Sequence, residues 1–288
     1  MTGKQRYFIE LAYDGTNYHG WQIQQNAISV QEVLNKALAT VLRQPIETTG
    51  CGRTDTGVHA KEFFAHFDAE EVHGSLLIDH SRKEDVNSSL IIDHRKNAEG
   101  ASEASAMNYE PSTMNPQLNN KIRGLNAILP PDIAIKNIIP VHADAHARFD
   151  ATLRSYQYHV HFNKDPFLQG GSWMLRDVPD IDLMNQAAAM MLDYIDFSCF
   201  SKSNTQVKTN NCKISRAEWL LTEQGMVFHI SADRFLRNMV RAIVGTLMMV
   251  GKHEIPPEAV KEIIESKNRS NAGMSVPACG LYLTEVRY

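Results

Sequence analysis

Cysteine is scarce and scattered: Cys51, Cys199, Cys212 and Cys279 form no CxxC pair in 288 residues. That argues against a disulfide framework or thiolate zinc site, and for reduced thiols in a cytoplasmic protein. No apolar run approaches the roughly 18–20 residues of a membrane span. The N-terminal MTGKQRYFIELAYDG lacks the apolar stretch and small-residue cleavage site of a signal peptide. A glycine-rich phosphate loop is missing, as is HExxH or similar ligand spacing. His142/His146, His59/His66 and His159/His161 each lack a third ligand, so the expectation is no metal and no membrane partner. A strong charge of either sign is also missing: the net is −4. Residues 70–116 carry nine Asp/Glu against four Lys/Arg, a net of −5, leaving +1 elsewhere. Global charge therefore neither supports nor excludes a nucleic-acid partner; a local patch would decide.

What is present is ordinary globular material, 43% hydrophobic and 22% charged, enough for two domains or one large core. Residues 5–13 alternate as a strand, and SVQEVLNKALATVLRQ reads as a helix with Ser29 and Glu32 as a capping box. A short strand near 46–51, the loop around Asp55 and a strand at 62–68 follow. Residues 70–115 hold a near-duplicate, SLLIDHSRK (75–83) and SLIIDHRKN (89–97), in a polar tract that reads as an insertion. Beyond it come a helix opening at Pro116, a strand over DIAIKNIIPV, and strict alternation in LRSYQYHVHF (153–162). A helix near 181–194, strands at 214–222 and 226–231, helices at 234–250 and 257–266, and a last strand GLYLTEVRY complete the chain. The expected fold is α+β: two similar modules, 1–143 and 144–288, with mainly antiparallel sheets flanked by helices and a cleft between them.

The chemistry-bearing stretch is GRTDTGVHA (52–60). Its Asp55-Thr56-Gly57 is also the tripeptide of aspartic proteases, but no second copy exists to share a proton. Nearby Arg53 also works against proton sharing, because a guanidinium favours an ionised carboxylate. By pattern alone, a lone reactive carboxylate and a simple turn, with Gly52 and Gly57 supplying backbone freedom, are both open.

Seven segments in order carry more information: YDGTNYHGWQ (13–22), SVQEVLNKAL, GRTDTGVHA, HARFDATLRSYQYHV, DFSCF, FLRNMVRAIVG and GLYL. Together they resemble the tRNA pseudouridine synthase A family over nearly the whole chain except roughly 70–115. Thr56 stands where that family usually has alanine, and the acidic insertion is outside its pattern. The resemblance implies an isomerase that converts uridine to pseudouridine at positions 38–40 of the tRNA anticodon stem-loop. It implies Asp55 as catalytic aspartate, Arg241 as its partner, Tyr156 as the active-site tyrosine, Leu281 as an apolar wall of the base pocket, and a homodimer. The alternative is a catalytically silent RNA-binding module on the same fold.

The reaction breaks N1–C1′, turns the uracil and joins C5 to C1′, so nothing is oxidised and no cofactor is expected. Arg234, Arg237 and Arg241 at i, i+3 and i+7 would share one face of the expected 234–250 helix. Arg53 is a candidate either to fill the space of a nucleotide swung out of the stack or to grip a phosphate, and Arg148 is a candidate RNA contact.

Overall fold

A computed structural model describes residues 4–70, 116–202 and 209–288. The 70–115 insertion, with its near-duplicate segments, lies outside the described residues apart from Glu70. The fold is α+β. Among the described residues, nine strands form one mixed, mostly antiparallel sheet with five α-helices. The strands are β1 (Lys4–Tyr13), β2 (Thr49–Gly50), β3 (His59–Glu70), β4 (Ile133–Val141), β5 (Leu153–His161), β6 (Trp173–Met174), β7 (Ile214–Leu221), β8 (Gly225–Ala232) and β9 (Leu281–Arg287). The helices are α1 (Val30–Leu42), α2 (Pro116–Ile128), α3 (Ile181–Met190), α4 (Met239–Gly251) and α5 (Ala259–Glu265).

Strand order is β4-β1-β3-β9-β5-β8-β7, with β2 on β3 and β6 on β5. The last strand therefore sits in the middle. β9 pairs parallel to β3 (His59 with Tyr282, Ala60 with Leu283) and antiparallel to β5 (Tyr156 with Leu283, Tyr158 with Leu281). This joins the two halves of the chain into one sheet and brings the residues after Asp55 within one strand of Tyr156.

Two hydrophobic clusters cover the sheet. The first packs Ile9, Leu11, Leu34, Leu38 and Phe63 and takes Leu283 and Val286 from β9; the second packs Tyr158, Trp219, Phe228, Ile243 and Leu247 and takes Val58 from the Asp55 loop. Helix α4 is buried on nearly every side, as its apolar sequence requires. Truncating Ile243 or Leu247, both fully buried, to alanine removes packing worth about 2–5 kcal/mol.

Local signals act as chemistry dictates, with two corrections. Ser29 caps α1, its Oγ accepting from Glu32 N at 3.3 Å. The reciprocal half of the expected capping box is replaced: the Glu32 carboxylate accepts from Lys36 Nζ at 2.6 Å. The helix expected from residue 234 begins only at Met239, because Asn238 takes a left-handed conformation (φ 66°) that a helix cannot continue through. Arg234 and Arg237 thus lie in the loop before α4, and the shared helix face does not form.

Candidate active site

The Asp55 loop is a turn held by its neighbours. Val58 N donates to Asp55 O at 3.1 Å, and Gly57 occupies the third turn position at φ 76°, where only glycine sits without strain. The YDGTNYHGW segment forms a cradle around this turn. Trp21 N donates to Thr54 O, Gly57 N donates to Tyr18 O, and the Tyr13 and Thr54 hydroxyls meet at 2.8 Å. A Cβ on Gly15 would lie 2.0 Å from Val58 O, and one on Gly20 (φ 84°) 2.3 Å from Thr54 O. Both glycines are required by this close backbone approach. Gly15 N lies 3.1 Å from His59 Nδ1, which is also 3.0 Å from Asp14 Oδ1, and His59 Nε2 lies 3.1 Å from Cys279 O. A buried histidine thereby ties the loop to the segment leading into β9.

The Asp55 carboxylate is part-buried and caps nothing in its own turn. Its charge partner within 4.0 Å is Arg237, whose Nε lies 3.5 Å from Oδ1, 182 residues along the chain. The expected pair with Arg241 is not formed in this structure. Arg241 sits in the first turn of α4 and donates from Nε to Val276 O at 2.7 Å, while Val276 N donates to Arg241 O. Together with the Tyr158 hydroxyl on Pro277 O and His59 on Cys279 O, this pins the 276–279 strap that faces the Asp55 turn. The physical reason is positional. The loop before α4 carries residue 237 toward Asp55, whereas the helix turns residue 241 onto the strap.

Tyr156 lies on β5 and packs against both hydrophobic clusters, with its ring edge-to-face on Phe235 at 5.1 Å. Burial, then the neighbouring Cys51 and Asp55, push its hydroxyl pKa well up, with Arg154 opposing. The phenol therefore stays protonated. Leu281, 6% exposed, belongs to the second cluster. Arg53 is exposed, and Arg148 lies in the turn before β5. Burial and then the guanidiniums of Arg53, Arg154 and Arg234 lower the Arg148 pKa. The basic groups thus crowd one edge of the site.

Sequence reasoning passed over one residue that organises this region. Arg154 shares the strand face of Tyr156 and is buried, yet it has no carboxylate partner among the described residues. Its Nη1 donates to Ala151 O (3.1 Å) and Asp233 O (2.9 Å), and its Nη2 to Cys51 O (2.9 Å) and Arg148 O (2.6 Å). One guanidinium so joins the Asp55 loop, the Arg148 turn and the approach to Arg237. An arginine in register with inward-facing tyrosines was the available signal.

Residues 187–288 match the family model described as tRNA pseudouridine synthase. Over the full length, the chain is 45% identical to tRNA pseudouridine synthase A of Bacteroides thetaiotaomicron, covering 99% of this chain and 91% of that protein. The protein of that name from Bacteroides fragilis is also 45% identical (99% and 96% covered), and that from Porphyromonas gingivalis 44% (98% and 97%). Similarity of this extent, spanning the Asp55 loop, the Tyr156 strand and the Arg241 helix alike, places the chain in the tRNA pseudouridine synthase A family.

Proposed function

We propose that the protein isomerises uridine to pseudouridine at positions 38–40 of the tRNA anticodon stem-loop, without a cofactor, using the Asp55 carboxylate. The observation that carries this reading is the ion pair between Asp55, on a turn fixed from three sides, and Arg237 from the other half of the chain. A carboxylate beside the sugar and base can add to C1′, add to uracil C6, or remove the 2′-proton to give a glycal. Each route needs the same ionised group, and a guanidinium is its natural counterion.

The other residues divide the work. Tyr156, kept protonated by burial, covers the uracil, and its hydroxyl relays the departing C5 proton to solvent, the oxygen accepting that proton as its own leaves. Leu281 closes the apolar side of the base pocket. Arg241 fixes the strap from which that wall rises and adds positive charge beside the site. Arg53 occupies the space vacated by the flipped nucleotide, a step that costs a few kcal/mol and must be compensated by new contacts. Arg148 grips phosphate, since a folded RNA is held mainly by shape and backbone. The modules 1–143 and 144–288 flank this cleft, in a cytoplasmic homodimer.

The test is nucleoside mass spectrometry with positional mapping of unmodified tRNA incubated with the protein. Pseudouridine at 38, 39 or 40 is expected; tRNA bound but left unmodified would favour a silent RNA-binding module instead.

A further inference from the structure

Phe149 is anomalous beside this site. Its ring is 74% exposed, yet it stands on a corner whose backbone is anchored at every step. His146 Nδ1 accepts from both Arg148 N (3.1 Å) and Phe149 N (3.3 Å), and His146 N donates to Asp150 Oδ2 at 2.7 Å. Ala147 N donates to His66 Nδ1, and the Tyr288 hydroxyl to Ala147 O. The His146 ring lies against Phe149 at 4.1 Å, and the Arg148 guanidinium lies 5.8 Å from the Phe149 centroid. An exposed apolar side chain alone needs no explanation. A rigid aromatic ring flanked by a guanidinium is different, because it matches the way unpaired bases are held, by stacking with cationic support.

We propose that Phe149 is a stacking platform for an unpaired nucleobase of the tRNA next to the reacting uridine, with Arg148 beside it for the adjoining phosphate. Arg154 sets the platform's spacing from the catalytic turn, since its Nη2 bonds both Arg148 O and Cys51 O. Charge complementarity favours an RNA occupant, because Arg53 and Arg234 stand close enough to act on Arg148. A platform at fixed distance from Asp55 holds the neighbour of an extruded nucleotide and keeps the loop open while the uracil turns. This inference rests on tRNA being the substrate.

The experiment compares tRNA binding by wild type, Phe149→Ala, Phe149→Trp and Phe167→Ala at one salt concentration. Phe167 is the control, being 94% exposed with no cation–π contact among the described residues. Phe149→Ala is expected to weaken binding about 5- to 150-fold, the usual range for loss of one stacked base. Its unfolding midpoint should not change, Phe149→Trp should bind within about twofold of wild type, and Phe167→Ala should bind normally. A 2-aminopurine placed at unpaired anticodon-loop positions should be quenched at one position by wild type and not by Phe149→Ala. Binding by Phe149→Ala within twofold of wild type, or Phe149→Trp as weak as Phe149→Ala, overturns the proposal. Pseudouridine formation by wild type in the same tRNA separates the two readings. If it forms while Phe149→Ala binds normally, only the platform fails. If it does not form while Phe149→Ala binds weakly, the catalytic reading fails and with it the place of Phe149 beside a reacting uridine, leaving only an RNA contact.

Discussion

Replacing Arg154 with methionine keeps a long, flexible, apolar stem in place but deletes a guanidinium that serves four carbonyls from three segments. Each such bond to a charged donor is worth about 1.5–3 kcal/mol by itself, but four bonds from one group do not add. Against that, methionine brings no buried charge, and some of the freed carbonyls will find water. The expected loss is about 3–5 kcal/mol of folding stability, at the upper end for single substitutions. Stability is only part of the expectation. The Cys51 carbonyl opens the Asp55 loop and the Asp233 carbonyl precedes Arg237, so their loosening should lower the single-turnover rate more than tenfold even in the fraction that is folded. Urea unfolding read alongside single-turnover pseudouridine formation at a temperature where the variant is folded measures both. Arg154→Lys should recover only part of each, since an ammonium has three donors and no planar fork to span four acceptors. A variant less than about 1 kcal/mol weaker than wild type, with an unchanged rate, would refute the role given to this residue.

Two further outcomes follow from the site's geometry and its histidines. Arg237→Ala should alter stability by under about 1 kcal/mol, because that side chain is 58% exposed, yet it should reduce turnover. Arg241→Ala should instead cost about 1–3 kcal/mol in urea unfolding through loss of the Val276 bond; equal stability losses in the two variants would contradict the separation of their roles. Burial, helped by nearby positive groups, holds the His66 and His159 pKa values down at about 4, so both rings are neutral in the folded protein. Their stabilising preference is complete above pH of about 6.5 and is lost as pH falls toward 4, by at most about 1.4 kcal/mol per pH unit for each ring. Stability that is flat between pH 7 and 5 in urea titrations would disprove this assignment. Since His66 Nδ1 accepts from Ala147 N, acid should loosen the Arg148–Phe149 corner first.

Much of the fold is legible where the signal is local. The α1 cap at Ser29, the alternation in β5 and the last strand follow from periodicity and capping chemistry that neighbours do not override. What depends on distant contacts is less readable. Basic residues at 234, 237 and 241 imitate one helical face, yet Asn238 at positive φ starts the helix later and moves the Asp55 pairing to Arg237. The glycines of YDGTNYHGW look like ordinary turn formers. Their reason, a backbone approach to Thr54 and Val58 too close for any Cβ, exists only once strands far apart in sequence have come together. The insertion of β9 between β3 and β5 is hidden for the same reason, since strand order is a long-range property.

The account turns on the carboxylate at position 55. Asp55→Asn preserves size and removes only the charge. With tRNA carrying tritium at uridine C5, this variant should bind with near wild-type affinity and release no label, whereas wild type should release it in step with pseudouridine formation. Release at a wild-type rate from Asp55→Asn would contradict the assignment of that residue as the reacting group.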